Sequence, residues 1–152
     1  MNKAKKYIIG STDCVDIIDA NIENVPCKID TGASISAIHV SRIRIIEKNG
    51  TEFIAFHLLD KKHPSYSAKE IRTSEFKEKR IKNSFGEAED RYQVKLRVKV
   101  FGKIYNTSFT LTDRNKMTYP LLLGKTFLKG KFIVDVSEHN LSYKEKNKII
   151  KP

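Results

Sequence analysis

Hydrophobic and polar residues alternate with a period of two along much of this chain. In YQVKLRVKV, residues 92–100, Tyr92, Val94, Leu96, Val98 and Val100 are interleaved with Gln93, Lys95, Arg97 and Lys99. That is the pattern of a strand buried on one face only. A tight turn follows at Gly102, and IYNTSFTLT (104–112) returns as the second arm of a hairpin. Shorter runs predict strands at Tyr7–Ile9, Val15–Ile18, Val25–Ile29, Ala37–Val40, Phe53–Leu59, Phe132–Val136 and Leu141–Tyr143. One short helix is predicted after Gly124, in KTFLKG, with Gly130 closing it. The expected fold class is all-β.

The segment from Asp60 to Glu89 breaks this pattern, being polar, charged and poor in large apolar residues. DKKHPSYSAKE reads as a loop around Pro64, and Asn83-Ser84-Phe85-Gly86 as a turn between two exposed arms. A hairpin protruding over a cleft and an ordinary long loop both fit this composition. At 152 residues the chain is long enough for one domain with a real core and short for two. That core is expected over about 8–137, with the polar insertion at about 60–90 and a basic tail over 144–152.

The formal net charge of +11 bears on partners rather than fold. It suits an anionic partner, but no aromatic-interleaved nucleic-acid motif and no zinc-finger spacing accompany it. No run approaches the roughly 20 apolar residues of a membrane span, and the apolar run Tyr7-Ile8-Ile9 is too short for a secretory leader. A cytoplasmic location with no membrane contact is the expectation. The two cysteines, Cys14 and Cys27, read as partly buried thiols.

The candidate chemistry lies in CKIDTGASISAIHV, residues 27–40. Val25, Cys27 and Ile29 form one strand face, so Asp30 emerges as the strand ends. Thr31 can hydrogen-bond to a neighbouring copy, and Gly32 lets the backbone bend close to the carboxylate. Asp-Thr-Gly alone arises by chance in roughly a few per cent of chains this long, so its context decides. Downstream, YPLLLGKTFLKGKFIVDV (119–136) gives an apolar run ending in Leu122-Leu123-Gly124, then a short helix, then a buried strand.

Asp-Thr-Gly-Ala, a hairpin and apolar-apolar-Gly-helix, in that order, resemble the retropepsin-like aspartic proteases. The stretches KIDTGASISAIHV, NSFGEAEDRYQVKLRVKVFGK and FTLTDRNKMTYPLLLGKTFLKGKFIVDVS are similar to a bacterial retropepsin-like family often labelled ATP-dependent zinc proteases. The resemblance implies a closed acid-protease barrel with one short helix, and association with ATP-grasp ligases that add glutamates to a protein tail. It implies catalysis by Asp30, with Thr31, Gly32, Ala33 and Ser34 supporting the catalytic loop. Leu122, Leu123, Gly124 and Lys125 would form the second-motif loop, and Ile81, Lys82, Asn83, Ser84, Phe85, Gly86 and Glu87 a flap over a peptide substrate. A basic peptidase acting on an acidic tail would account for the charge.

Aspartic peptidases need two carboxylates sharing a proton. The chain has one Asp-Thr-Gly, and Asp113 and Asp135 lack the following glycine. The expectation is therefore a homodimer with one Asp30 from each subunit. Ala33 stands where acid-active relatives place a serine that favours the ionised carboxylate, which implies a mildly acidic to neutral optimum. Many relatives carry a basic residue at the position of Ser34 and an arginine at that of Lys125. Retroviral proteases brace the dimer with an acid and an arginine at these motifs, and a Ser34–Lys125 contact would be weaker.

Zinc dependence is not expected. His39, His57, His63 and His139 are scattered, and no H-E-x-x-H is present. No P-loop glycine pattern occurs, so no cofactor is expected. Two other functions stay open: a catalytically inactive peptide-binding or dimerisation module on the same barrel, and a nucleic-acid-binding domain explained by charge.

Overall fold

The computed structural model describes residues 5–64, 66, 68–82, 85–112 and 118–150. In chain order the elements are β1 (Tyr7–Ile9), β2 (Thr12–Ile17), a 3-10 turn (Ile18–Ala20), β3 (Ile22–Ile29), β4 (Ser36–Lys48) and β5 (Thr51–Leu58). There follow β6 (Glu70–Thr73), β7 (Phe76–Lys82), β8 (Ala88–Val100), β9 (Lys103–Thr112), β10 (Leu121–Leu123), α1 (Lys125–Leu128), β11 (Phe132–Val134) and α2 (Leu141–Ile150).

The alternation over 92–100 is realised in β8. Val94, Leu96, Val98 and Val100 are buried, while Lys95, Arg97 and Lys99 are exposed. The turn to β9 has positive φ at both Phe101 (50°) and Gly102 (73°), the backbone that matches the twist of a two-residue hairpin. Closure comes from β10. It pairs parallel with β3 and antiparallel with β4, so the order β10-β3-β2-β8-β9-β4 returns to β10 as a six-stranded ring. Such a ring leaves its member strands no open edge. Its interior is filled by side chains from every strand of the ring, with Phe109, Ile38, Leu121, Leu123 and Val15 fully buried.

Additions outside the ring build the working surface. From β4, β5 and β6 continue the sheet, and β7 pairs with β8 along its whole length, from Phe76↔Val94 to Lys82↔Ala88. The segment 60–89 is thus strand in its second part, over 70–73, 76–82 and 88–89, and there it takes the hairpin of its two expected forms. Asn83, Ser84 and Asp113 lie outside the described residues. Outside the ring, β1 and β11 form a separate parallel pair, and Tyr7, Phe101, Tyr105, Phe127 and Phe132 pack as one aromatic cluster with contacting ring centroids 5.2–6.4 Å apart.

The helix predicted after Gly124 is present as α1. The strand expected at Leu141–Tyr143 and the tail after it are instead the helix α2. The cause is tertiary. Buried Asp13 on β2 accepts the Ser142 N–H at Oδ2 (3.0 Å) and the Tyr143 N–H at Oδ1 (3.1 Å), satisfying donors that open a helix. Lys146 then binds Asp16 through both carboxylate oxygens (3.0 Å each). Among the described residues no helix is long and apolar enough to cross a membrane.

Candidate active site

The Asp-Thr-Gly loop is fixed by the strand that closes the barrel. Leu121, Leu122 and Leu123 of β10 lie beside Cys27, Lys28 and Ile29 of β3, and the Asp30 N–H extends that ladder to the Leu123 carbonyl (2.8 Å). The chain then turns. The Gly32 N–H donates to Asp30 Oδ1 (3.0 Å) and the Ala33 N–H to the Asp30 carbonyl (3.2 Å). A Cβ on Gly32 would stand 3.3 Å from that carboxylate oxygen, so glycine keeps the approach open. Asp30 is half-buried, whereas Thr31 and Gly32 are exposed. One carboxylate oxygen is thereby oriented by a backbone donor, and Oδ2 has no hydrogen-bond partner among the described residues.

The loop is held to the second motif by a set of hydrogen bonds. The Lys125 N–H reaches the Ala33 carbonyl (2.8 Å), and Thr126 gives both its N–H (3.0 Å) and its hydroxyl (2.7 Å) to the Ser34 carbonyl. The Gly124 N–H donates to the buried hydroxyl of Ser36 (3.0 Å). Gly124 has to be glycine for contact reasons, since a Cβ would come 2.8 Å from the Ala33 carbonyl oxygen and 2.9 Å from the Ile35 carbonyl carbon. The two motif loops therefore meet through backbone atoms within one chain. The side chains of Ser34 and Lys125 are both exposed and are not paired with each other.

A cleft of about 430 Å³ opens beside this loop, within the size range of ligand sites. Its lining includes Ala33, Ser34 and Ile35 of the loop and Ala37, Thr110, Thr112 and Leu122 of the ring strands. Lys79, Arg91 and Gln93, from the stem of the β7–β8 hairpin, complete the lining. Asp30 is not in the lining itself; it begins the loop that is. Of the expected flap, Phe85 (88 % exposed), Gly86 and Glu87 are exposed at the hairpin end. Sequence reasoning did not find Ser36, Thr126, Lys79, Arg91 or Gln93. A signal existed for Ser36, which continues the inward alternation of Ile38 and Val40 yet is polar.

The other aspartate and the histidines serve elsewhere. Asp135 Oδ1 accepts the Ser137 hydroxyl (2.6 Å) and N–H (3.0 Å), and that hydroxyl is the main reason its carboxyl sits below the ordinary 3.8. His39 bridges the Thr112 carbonyl (Nδ1, 3.2 Å) and Asp60 (Nε2, 2.8 Å), and the His39 bond holds Asp60 below the usual carboxylate range. His57 lies 3.7 Å from Glu70, and His139 lies against the Ser11 and Thr12 hydroxyls. Among the described residues no three His, Cys, Asp or Glu side chains converge as a metal site would require. Cys14 and Cys27 are free and sit on opposite faces, Cys27 in the core opposite Asp13.

Comparison with known proteins agrees with this geometry. The crystal structure of a protein of unknown function from Legionella pneumophila subsp. pneumophila str. Philadelphia 1 superposes with a TM-score of 0.73 at 26% identity, covering 91% of this chain and 99% of that one. A protein named probable alpha-L-glutamate ligase from Shewanella pealeana (strain ATCC 700345 / ANG-SQ1) is 31% identical over 137 residues, 88% of this chain. One of the same name from Desulfotalea psychrophila (strain LSv54 / DSM 12343) is 26% identical over 130 residues, 86% of this chain. The chain spans only 29% and 28% of the length of these curated relatives. The model of the family described as retropepsin-like aspartic endopeptidase RimB matches residues 8–145. With the barrel, the Asp-Thr-Gly loop and the strand that clamps it in their retropepsin order, the chain belongs to this RimB-like family.

Proposed function

We propose that this protein is an aspartic endopeptidase that works as a homodimer, each subunit supplying one Asp30. The observation that carries the reading is the Asp30 carboxylate. It is oriented by the Gly32 N–H at 3.0 Å, clamped from behind by β10, and left with one oxygen open on an exposed loop. Two such loops meeting on a two-fold axis would bring the carboxylates to about 3 Å, where only one can comfortably ionise. The ionised aspartate takes a proton from water, whose oxygen attacks the scissile carbonyl carbon. The protonated partner donates to the carbonyl oxygen, giving a gem-diol. Return of a proton to the amide nitrogen then breaks the C–N bond and frees acid and amine. The segment around Ile81–Glu87 would act as the flap that excludes bulk water from this site.

An acidic substrate is favoured by Lys79 and Arg91 in the cleft lining. It is also favoured by the occurrence of a similar segment within proteins named probable alpha-L-glutamate ligase. The family membership supports a peptidase, and the cytoplasm is the compartment this reading implies. The test compares wild type with Asp30→Asn on a peptide pool that includes glutamate-tailed peptides, in chelator, from mildly acidic to neutral pH. Cleavage by wild type alone is the expected result. A folded dimeric wild type that cuts nothing would replace this reading with a peptide-binding module, and cleavage surviving in the variant would remove Asp30 from the chemistry.

A further inference from the structure

The alternation that builds β8 leaves Arg91, Gln93, Lys95, Arg97 and Lys99 on one outward face while Val94, Leu96, Val98 and Val100 fill the core. Across the ladder Lys77 stands opposite Gln93 and Lys79 opposite Arg91. Like charges directly opposed in a sheet destabilise it, a cost that an anion lying between them would relieve. On the other side β9 contributes Ser108, Asn106 and Ile104 opposite Lys95, Arg97 and Lys99, and β9 contains no acidic residue. Gln93 lines both the cleft beside the Asp30 loop and a second groove, of about 310 Å³, that includes Lys77, Lys95 and Ser108. The cleft and the cationic face are therefore continuous.

We propose that this outer face of β8 is a docking track for an extended acidic polypeptide, holding the substrate chain where it leaves the cleft. It rests on the peptidase reading for what the bound chain is, and on the face itself for how it is held. Alternate residues of a strand lie about 6.7 Å apart, and so do alternate side chains of an extended peptide. Over the about 27 Å from Arg91 to Lys99, alternate side chains of an acidic chain thus meet Arg91, Gln93, Lys95, Arg97 and Lys99, four cations and one amide. The face already holds one carboxylate this way: Asp19 accepts the Arg97 guanidinium (3.1 Å) and the Arg97 N–H (2.6 Å).

Glu89 lies 3.5 Å from Arg91, Asp16 stands across the ladder from Lys99 but is held by Lys146, Glu145 shares a groove with Lys99, and Glu75 lines the second groove. Lys77, Lys79, Lys95 and Lys99 have no carboxylate within ion-pair reach among the described residues. No aromatic ring stands among the outward residues from Arg91 to Lys99 or their β9 partners; Phe76, which lines the second groove, packs edge-on to Tyr92 (6.1 Å), and Tyr105 packs edge-on to Phe127 (5.4 Å). Single-stranded nucleic acid is bound by cations together with stacking rings, so the face suits an acidic peptide better.

The test is fluorescence anisotropy of a labelled ten-residue glutamate peptide with full-length Asp30→Asn protein, which separates binding from turnover. Lys95→Gln/Lys99→Gln is expected to weaken binding about three- to tenfold. The control Lys144→Gln/Lys148→Gln removes the same charge from exposed positions on α2 and is expected to leave binding within about twofold. Equal weakening by both pairs would reduce the effect to net charge and overturn the track. So would tighter binding of an oligothymidylate of matched length, or absence of binding. A wild type that binds through the track yet cuts nothing would defeat the peptidase reading alone. Cleavage of glutamate-tailed peptides unaffected by Lys95→Gln/Lys99→Gln would defeat the track alone.

Discussion

Gly124→Ala adds one methyl group at the joint between the two motif loops. With Gly124 at φ −98° and ψ −178°, the backbone is one any residue adopts, so the effect is purely steric. The new Cβ would sit 2.8 Å from the Ala33 carbonyl oxygen, 2.9 Å from the Ile35 carbonyl carbon and 3.0 Å from the Ile35 oxygen. Overpacking of this kind costs about 1–3 kcal/mol. The upper part of that range, about 2–3 kcal/mol, applies because the obstructing atoms are backbone, pinned by the Lys125-to-Ala33 and Gly124-to-Ser36 hydrogen bonds. For a domain of this size that is a fall of about 4–12 °C in Tm. Gly102→Ala is the comparison: it has nothing within 4 Å but a φ of +73°, so it costs about 1–2 kcal/mol of conformational strain alone. Urea unfolding followed by circular dichroism, with an unchanged slope, measures both. Gly124→Ala within about 0.5 kcal/mol of wild type would refute the packing argument.

Other consequences follow from the same contacts. Ser36→Ala leaves the buried Gly124 N–H without its acceptor, so stability should fall by about 1–3 kcal/mol in urea titrations, and peptidase kcat should fall with it. Burial raises the Asp13 carboxyl above its ordinary 3.8 in the folded protein. The folded state therefore keeps this proton longer than the unfolded one, and the contribution of Asp13 to stability falls as pH rises from 3.8 through the folded value. Urea midpoints of wild type relative to Asp13→Asn should decline over that window; a flat difference would contradict it. Asp60 has the opposite sign, because its carboxyl is lowered by the His39 hydrogen bond. The advantage of wild type over Asp60→Asn should be present above 3.8 and disappear as pH falls through the lower folded value, read from the same midpoints.

Much of the barrel could be read from the chain because its strands are half-buried. The alternation in β8 and the turn at Phe101-Gly102 are local facts with local signatures. The Asp30 loop was legible because strand end, glycine and second motif occur in a fixed order. The helix α2 was not, since its start depends on Asp13, about 130 positions earlier, and Leu141–Tyr143 alternates well enough to pass for strand. Strands β6 and β7 were obscured for another reason. Both lie outside the closed ring; β6 is only four residues long and half-buried, and β7 is largely exposed over its described side chains, so they carry little apolar pattern to read. Lys79 and Arg91 were beyond sequence reasoning because their place in the cleft lining follows from a register that charge alone does not specify.

The most direct test of a shared pair of aspartates is subunit mixing. Wild type and Asp30→Asn protein are combined in varying proportion at fixed total concentration, allowed to exchange subunits, and assayed on a peptide that wild type cleaves. If each site needs one Asp30 from each subunit, mixed dimers are inactive and the rate falls as the square of the wild-type fraction, leaving a quarter of the activity when half the subunits are wild type. A rate that falls in direct proportion, leaving half, would mean that each chain carries its own complete site and would contradict the account.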